Sequence, residues 1–263
     1  MRLFAIAVLI CFILLSQVHA QERITVNLEG QWSKTGAFST VPNGRLSDVI
    51  RFVGGIKKEA FPFGGRLYRL SQSKEDSVFI SKARQKIALH IESPEQGLLD
   101  ERVSTLLLQR LIAQIDSLDR SGRVVAELDM LVTQAKPEKE TFLQQGDLIV
   151  MPPRPQFVMV TGAVEESKFL KHQYGTNVLD SVKEAVTIGE IADKDVVSVV
   201  YPNGELAVWP VAYWNRVPEN HIPPGTTVIV RVDESLGETA ELLNGLFIKL
   251  AQNQQEVERG AGK

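Results

Sequence analysis

Three prolines within four residues interrupt the chain near its middle. Pro152, Pro153 and Pro155 separate two apolar runs, residues 147–151 and 157–161, whose length and composition are typical of buried strands. Proline fixes φ and lacks an amide proton, so this segment can neither continue a helix nor pair in the middle of a sheet. The prolines therefore predict a boundary between two domains, which we place between residues 154 and 155.

The segments on either side of this boundary repeat one another. The run RITVNLEGQ before it and the run QFVMVTGAV after it are each a predicted first strand, and each contains a glycine near its end, Gly30 or Gly162. A second strand, a helix and a closing strand introduced by Gly146 or Gly225 follow in the same order. Four ordered correspondences predict an internal duplication of a small α+β unit, with domains at residues 21–154 and 155–233.

The first repeat is longer than the second. Residues 64–91 contain the strand-like runs GRLYRLS and SVFIS, and residues 94–118 carry apolar side chains at intervals of three and four residues, which predicts one long amphipathic helix. The second repeat has no counterpart of this helix. We therefore expect the first domain to carry a partly helical insertion at about residues 64–120.

Arg110 lies in the most apolar segment of this insertion, LLLQRLIAQ. One interpretation is that Arg110 binds an anionic group or a partner protein. The commoner alternative for an arginine in such a place is a snorkelling side chain or a structural ion pair.

The second domain contains a predicted hairpin with several aromatic residues. Asn203-Gly204 is a strong signal for a tight hairpin turn. Trp209, Tyr213 and Trp214 follow it and are candidates for binding a partner or stacking on a sugar. Aromatic residues at alternating strand positions more often belong to a core, so the core remains the favoured interpretation.

Residues 235–256 predict a C-terminal amphipathic helix that opens with a capping box formed by Ser235 and Glu238. Its apolar face consists of Leu236, Ala240, Leu243, Phe247 and Leu250. Such a face must be covered by its own domain, by a partner helix or by a membrane interface. A lone membrane span is excluded because Glu241 and Lys249 would lie in hydrocarbon. Residues 257–263 have the composition of a flexible tail.

Residues 1–20 have the features of a secretory signal peptide: one basic residue, an apolar run, and the ending Val18-His19-Ala20. Cleavage there gives a mature chain from about Gln21, and an uncleaved membrane anchor is the alternative. The one cysteine of the chain, Cys11, leaves with this segment. A mature chain without disulfides that is nevertheless exported is typical of a bacterial periplasm.

Composition and motifs give no indication of catalysis. The formal net charge of −3 provides no electrostatic basis for nucleic-acid binding. The mature chain has dispersed histidines at positions 90, 172 and 221, and the sequence contains neither a phosphate-binding glycine loop nor a nucleophile motif. We expect a non-enzymatic protein with no catalytic residues, no metal and no cofactor.

Three segments resemble a known family. The run PPRPQFVMVTGAV, the segment PVAYWN and the closing run IPPGTTVIVRV resemble the GfcC family of capsule biosynthesis proteins. They resemble more distantly the SLBB-type β-grasp repeats of Wza-like polysaccharide export proteins. The resemblance implies an α+β fold with two tandem β-grasp (SLBB-like) domains, the first with a partly helical insertion, followed by a C-terminal amphipathic helix.

The resemblance also implies a function. The implied role is that of a non-enzymatic periplasmic accessory protein of capsule or exopolysaccharide assembly and export. Its expected partners are export proteins of the cell envelope, and the polysaccharide itself is a further candidate. The alternative is an oligomeric ring or pore-like export component whose C-terminal helix associates with the outer membrane. A polysaccharide-modifying enzyme that uses Arg110 is a third and weaker interpretation. Whether the helix contacts a membrane is left open.

Overall fold

The computed structural model describes residues 22–185, 189–211 and 221–253 of the 263-residue chain. The predicted signal peptide, Tyr213, Trp214 and the predicted tail at residues 257–263 lie outside the described residues.

The described residues form two five-stranded sheets. The first sheet consists of β1 (Ile24–Gly30), β2 (Gly36–Thr40), β3 (Arg66–Tyr68), β4 (Arg123–Val124) and β5 (Leu148–Met151). The second sheet consists of β6 (Phe157–Gly162), β7 (Lys168–Lys171), β8 (Ala192–Val200), β9 (Leu206–Pro210) and β10 (Thr227–Val232).

The two sheets share one topology. Counted from the start of each repeat, the strand order is second, first, fifth, third, fourth in both sheets. In each sheet the first and fifth strands run parallel, and all other neighbours run antiparallel. At the level of strand order and direction, the predicted internal repeat is confirmed.

Six α-helices accompany the sheets in the described part of the chain: α1 (Leu46–Phe52), α2 (Leu70–Glu92), α3 (Thr105–Asp116), α4 (Met130–Ala135), α5 (Val178–Ala185) and α6 (Glu238–Asn253). Helices α1 and α5 each follow the second strand of a repeat, as the sequence correspondence predicts. The structure is therefore a mixed α+β fold, as expected.

The helices α2 and α3 lie between two neighbouring strands of the first sheet. β3 ends at Tyr68 and β4 begins at Arg123, whereas the equivalent strands β8 and β9 are joined by the short turn at Asn203-Gly204. This is where the sequence predicts extra residues in the first repeat.

Two details predicted for this segment are wrong. The run SVFIS is not a strand, because residues 77–81 lie inside α2, where Ile80, Ala83 and Ile87 bury one helical face. The single helix predicted over residues 94–118 is also wrong. Gly97 adopts a left-handed conformation with φ 62°, and α3 begins only after Ser104, whose side chain accepts a hydrogen bond from the Leu107 amide.

Each sheet has its own core, and the second core extends beyond its own repeat. The first core lies between the first sheet and α1, with Leu28, Trp32 and Ile149 fully buried. The second core combines the second sheet and α6 with apolar side chains of α2 and α3, among them Ile87 and Leu108. The insertion of the first repeat is therefore packed into the core of the second.

The C-terminal helix begins later than predicted. A 3-10 turn at Glu234–Leu236 comes first, capped by Asp233, whose side chain accepts a hydrogen bond from the Ser235 amide. The α-helix starts at Glu238, so the predicted capping box with Ser235 as the N-cap is wrong. Aspartate is as good a capping residue as serine. Asp233, two residues before Ser235, caps the segment instead. No helix of the described residues is both long and apolar enough to span a bilayer.

Candidate functional site

Arg110 joins the insertion to the second sheet. Its guanidinium donates hydrogen bonds to the backbone carbonyls of Val164 (2.9 Å), Glu165 (2.8 Å) and Gly162 (2.7 Å) at the end of β6. Burial lowers the pKa of Arg110 from its ordinary value, and the charge of Glu166 opposes this shift. The contacts give Arg110 a structural role, and the interpretation that it binds an anionic group or a partner stays a prediction.

Trp209 lies on β9 and packs against the second core while remaining half-buried. Its indole Nε1 donates a hydrogen bond to the Tyr201 hydroxyl at 3.2 Å. Trp209 and Tyr201 therefore lie side by side. Tyr213 and Trp214 fall outside the described residues.

The predicted apolar face of α6 is buried. Leu236, Ala240, Leu243, Phe247 and Leu250 are each at most 7% exposed and belong to the second core. Burying such side chains is worth about 1.5–3 kcal/mol for each large one. The interior of the protein itself therefore covers this face.

Two polar side chains fix α6 in place. Asn244 is buried and clamps β10, because its amide accepts from the Val232 N–H (2.8 Å) and donates to the Val232 carbonyl (2.9 Å). Lys249 Nζ lies 2.8 Å from the Asp76 carboxylate on α2. These contacts hold the helix against both its own sheet and the insertion.

A cavity of about 250 Å³ opens where the two sheets meet. Its walls come from β3 and β4 of the first sheet, from β6, β7, β8 and β10 of the second, and from α3 and α6. We call it the inter-sheet cleft. The inter-sheet cleft combines cationic side chains of the first repeat with aromatic side chains of the second.

The first sheet supplies two arginines to the inter-sheet cleft. Arg66 on β3 is 8% exposed, and Arg123 at the start of β4 is half-buried. The Arg123 guanidinium contacts the backbone carbonyls of Gly65, Pro202 and Gln252, which belong to both repeats and to α6. Its backbone amide also donates to the Asn253 side chain at 3.0 Å. Arg123 is thereby positioned at the junction of three structural units.

The second sheet supplies an aromatic wall. Phe157 on β6 and Phe169 on β7 meet edge to face with ring centroids 5.0 Å apart, and Phe169 is 57% exposed. Ser167 and Tyr201 add hydroxyl groups, and Gln114 of α3 adds an amide. Aromatic surfaces with a few convergent polar groups are typical of ligand-binding sites.

The sequence did not single out these residues. Arg66 and Arg123 occur in short strands whose positions depend on pairing with β5, and that pairing cannot be read from local pattern. One signal was present: in GRLYRLS an arginine alternates with apolar residues, so a cation on one face of a strand was visible. Nothing in the sequence showed that this face meets the second repeat.

Within residues 22–185, 189–211 and 221–253, no group of three or more histidine, cysteine, aspartate or glutamate side chains could hold a metal ion.

Comparison with known proteins identifies relatives of this chain. Residues 169–255 match the family model described as "Capsule biosynthesis GfcC C-terminal". The chain is also similar to the protein named "Uncharacterized protein YjbG" of Escherichia coli (strain K12), with 27% identity over 173 residues. This match covers 65% of the chain and 69% of the relative. The predicted resemblance to the GfcC family of capsule biosynthesis proteins is confirmed, and the family model matches the chain over residues 169–255.

Proposed function

We propose that this protein is a non-enzymatic periplasmic accessory of capsule or exopolysaccharide assembly and export. The observation that carries the proposal is the match of residues 169–255 to the GfcC C-terminal capsule biosynthesis domain. The family suggests a location in the cell envelope, and the predicted signal peptide at residues 1–20 supports the periplasm in particular. Its partners would be export proteins of the envelope and the polysaccharide that they carry.

The proposal includes two tandem β-grasp (SLBB-like) domains at residues 21–154 and 155–233. Two sheets with the same strand order and direction support this division. The division also explains why α2 and α3, between β3 and β4, have no equivalent between β8 and β9.

The burial of α6 supports a soluble accessory over a ring or pore. A helix that lines an outer-membrane pore needs an apolar face directed at lipid. Here the apolar face packs on the second sheet and the insertion, and exposing it would cost several kcal/mol. The pore-like alternative would require α6 to leave this position.

Deletion of the gene in the strain that encodes it tests the role. We expect the polymer at the cell surface to fall while its sugar composition stays unchanged, and we expect the wild-type gene on a plasmid to restore it. Surface polymer can be measured by acid hydrolysis of shed material and chromatography of the sugars. Normal surface polymer in the deletion strain would overturn the proposal, and altered sugar composition would favour an enzyme.

Analytical ultracentrifugation separates the accessory from the ring. The chain from Gln21 should sediment as one species of unchanged size with and without vesicles of phosphatidylethanolamine and phosphatidylglycerol. Sedimentation of the protein as a ring, or with the vesicles, would favour the pore-like alternative.

A further inference from the structure

We infer that a cavity on the outer face of the first sheet binds a neutral sugar residue through the hydroxyl of Tyr68. We call this space of about 280 Å³ the outer-face cavity, and Glu29, Gln31, Arg120 and Val150 line it together with Tyr68. The inference rests on the proposed function for the saccharide class of the ligand. The position of the ligand and its lack of charge follow from the cavity itself.

Strand pairing builds the floor of the outer-face cavity. Leu67 of β3 is fully buried in the first core, so its neighbour Tyr68 lies on the opposite face of the sheet. Val150 of β5 lies on that face as well, and strand pairing places it beside Glu29 of β1 and Arg66 of β3. Side chains from three strands thus form one surface away from the core.

The Tyr68 hydroxyl is a buried polar group of this cavity. Tyr68 is 5% exposed, and its hydroxyl oxygen has no hydrogen-bond partner among the described residues. Burial of a hydroxyl without a partner is unfavourable, so a ligand that forms a hydrogen bond with it gains affinity. Because a tyrosine hydroxyl can donate and accept, a hydroxyl of a sugar can satisfy it in either direction.

An ion pair beside the Tyr68 hydroxyl keeps part of its hydrogen-bonding capacity. Arg120 Nη1 donates to Glu29 Oε2 at 2.9 Å, and neither side chain makes another hydrogen bond within the described part of the chain. Glu29 Oε1 therefore remains an acceptor, and Arg120 Nη2 remains a donor. Two adjacent hydroxyls of one sugar can bond to both members of the pair.

The charges of the outer-face cavity favour a neutral ligand. Glu29 and Arg120 compensate one another, and Arg66, which also lines the cavity, already holds an interaction of its own. An anion would have to compete with the Glu29 carboxylate for Arg120, and a cation would have to compete with Arg120 for Glu29. A sugar without a charged group meets neither obstacle.

The remaining walls and the volume fit a single sugar ring. Val150, Pro152 and Pro153 contribute carbon surfaces against which the C–H face of a sugar can pack, and Gln31 contributes an amide. The volume of about 280 Å³ lies just below the ~300–1,000 Å³ of pockets that hold drug-sized ligands. The cavity therefore suits one residue of a polymer better than a long segment.

Nuclear magnetic resonance of the full mature chain tests the inference. The probes are D-glucose, D-galactose and D-mannose, with D-glucuronate and inorganic phosphate as charged controls. Each is added up to about 50 mM, because a single sugar that forms a few hydrogen bonds binds with millimolar affinity at best. We expect at least one neutral sugar to shift the backbone amides of Gln31 and Val150, and the charged probes to shift them far less.

Tyr68→Phe removes the hydroxyl and keeps the ring. We expect it to weaken binding of the neutral sugar by about threefold to tenfold, the effect of one lost hydrogen bond. The urea midpoint of the variant should equal or exceed that of the wild type, because the lost hydroxyl has no partner among the described residues. Tyr174→Phe is the matched control, since it makes the same change on an exposed ring outside the cavity and should leave binding unchanged.

Glu29→Gln tests the charge of the ligand. It replaces a charged acceptor by a weaker neutral one, so binding of a neutral sugar should weaken by about twofold to fivefold. Binding of an anion would instead strengthen, because Arg120 would lose its competing carboxylate. Glu241→Gln removes a charge at an exposed position of α6 outside the cavity and should bind as the wild type does.

The outcomes separate a sugar site from its alternatives. Three results would each overturn the inference: no shifts with any neutral sugar, equally strong shifts with glucuronate or phosphate, or tighter binding in Glu29→Gln. A Tyr68→Phe protein with a lower urea midpoint and unchanged sugar affinity would also overturn it, because the hydroxyl would then hold only a structural water.

The deletion strain distinguishes this inference from the proposed function. If that strain loses surface polymer but the purified protein binds none of the neutral sugars, the inference fails and the export role stands. If the deletion strain exports normally, the export role fails whatever the outer-face cavity binds in solution.

Discussion

Two glycines occupy equivalent places in the two repeats and are required there by the backbone. Gly30 ends β1 with φ 89° and pairs with Met151, and Gly162 ends β6 with φ 104° and pairs with Val230. A Cβ at either position would collide with the backbone carbonyl of its partner. The repeat therefore extends from strand order down to single backbone conformations.

Gly162→Ala should destabilise the protein by about 3 kcal/mol or more, because it combines a strained φ with a collision against the β10 backbone. Gly55→Ala is the control, since its φ of 84° is similar but open space surrounds its Cβ. The control should lose only about 1–2 kcal/mol. Urea unfolding followed by circular dichroism measures both. A Gly162 variant no less stable than the Gly55 variant would show that the β10 carbonyl moves aside.

Both glycines were visible in the sequence as matching strand ends, because a glycine before a turn has a local reason. Arg66 and Arg123 were not, because their importance depends on which distant strand lies beside them. Residue-level prediction therefore succeeded where the cause is local and failed where the cause is tertiary.

At the scale of elements, α2 and α6 are joined by one buried carboxylate. Asp76 of α2 is 1% exposed and accepts from Lys249 Nζ (2.8 Å) and from the Asn253 amide (3.1 Å) on α6, and from the Gly122 N–H (3.0 Å) before β4. Burial raises the pKa of Asp76, but the hydrogen bonds from Lys249, Gln72 and Asn253 outweigh it, so the pKa is lowered overall. The charged form is thus stabilised by the fold.

Lys249→Met should lower the free energy of unfolding at neutral pH by about 2–3 kcal/mol, because it leaves a buried carboxylate without its cation. A lowered carboxyl pKa contributes stability above the ordinary value of 3.8, and this contribution is lost as the pH falls through the pKa of the folded state. The difference between variant and wild type should therefore shrink on acidification. Urea unfolding at several pH values measures it.

Arg84→Met is the control for this prediction. It breaks the Arg84–Asp116 ion pair between α2 and α3, which is exposed on both sides. Exposed pairs contribute little, so this variant should stay close to wild type at every pH. A Lys249 variant that behaves like the Arg84 variant would contradict the role given to Asp76.

Helices and strands could be predicted from the sequence wherever their apolar residues recur at regular intervals and form one buried face. The alternation in β1 and the periodicity of α6 were both recognised, and both faces are buried. The run SVFIS was wrongly assigned to a strand because Val78, Phe79 and Ile80 favour strands when a short window is considered alone. The apolar spacing over a longer window is that of a helix. Leu99 and Val103 led to the opposite error. Their spacing predicted a helix, but both are buried side chains of a loop.

At the scale of the whole molecule, the insertion connects the two repeats, because it starts and ends in the first sheet and packs in the second core. Strands β3 and β4 belong to the first sheet, while the helices between them are built into the second core. Arg123 adds contacts to Pro202 and Gln252 across the same junction. The second core is therefore incomplete without residues of the first repeat.

The protein should therefore unfold in one cooperative transition. Trp32 lies in the first core and Trp209 beside the second, so variants that keep one tryptophan, with phenylalanine at the other two tryptophan positions, report on each half. Both reporters should give the same midpoint in urea, and the calorimetric and van't Hoff enthalpies should agree. Two separate midpoints would show that the repeats unfold independently.

The shared second core also constrains how the chain is made. A ribosome delivers residues 70–116 long before α6, which comes near the end of the chain and closes the core in which those helices pack. Until then the apolar faces of α2 and α3 have no permanent cover. We therefore expect the second core, unlike the first, to form only after α6 has left the ribosome.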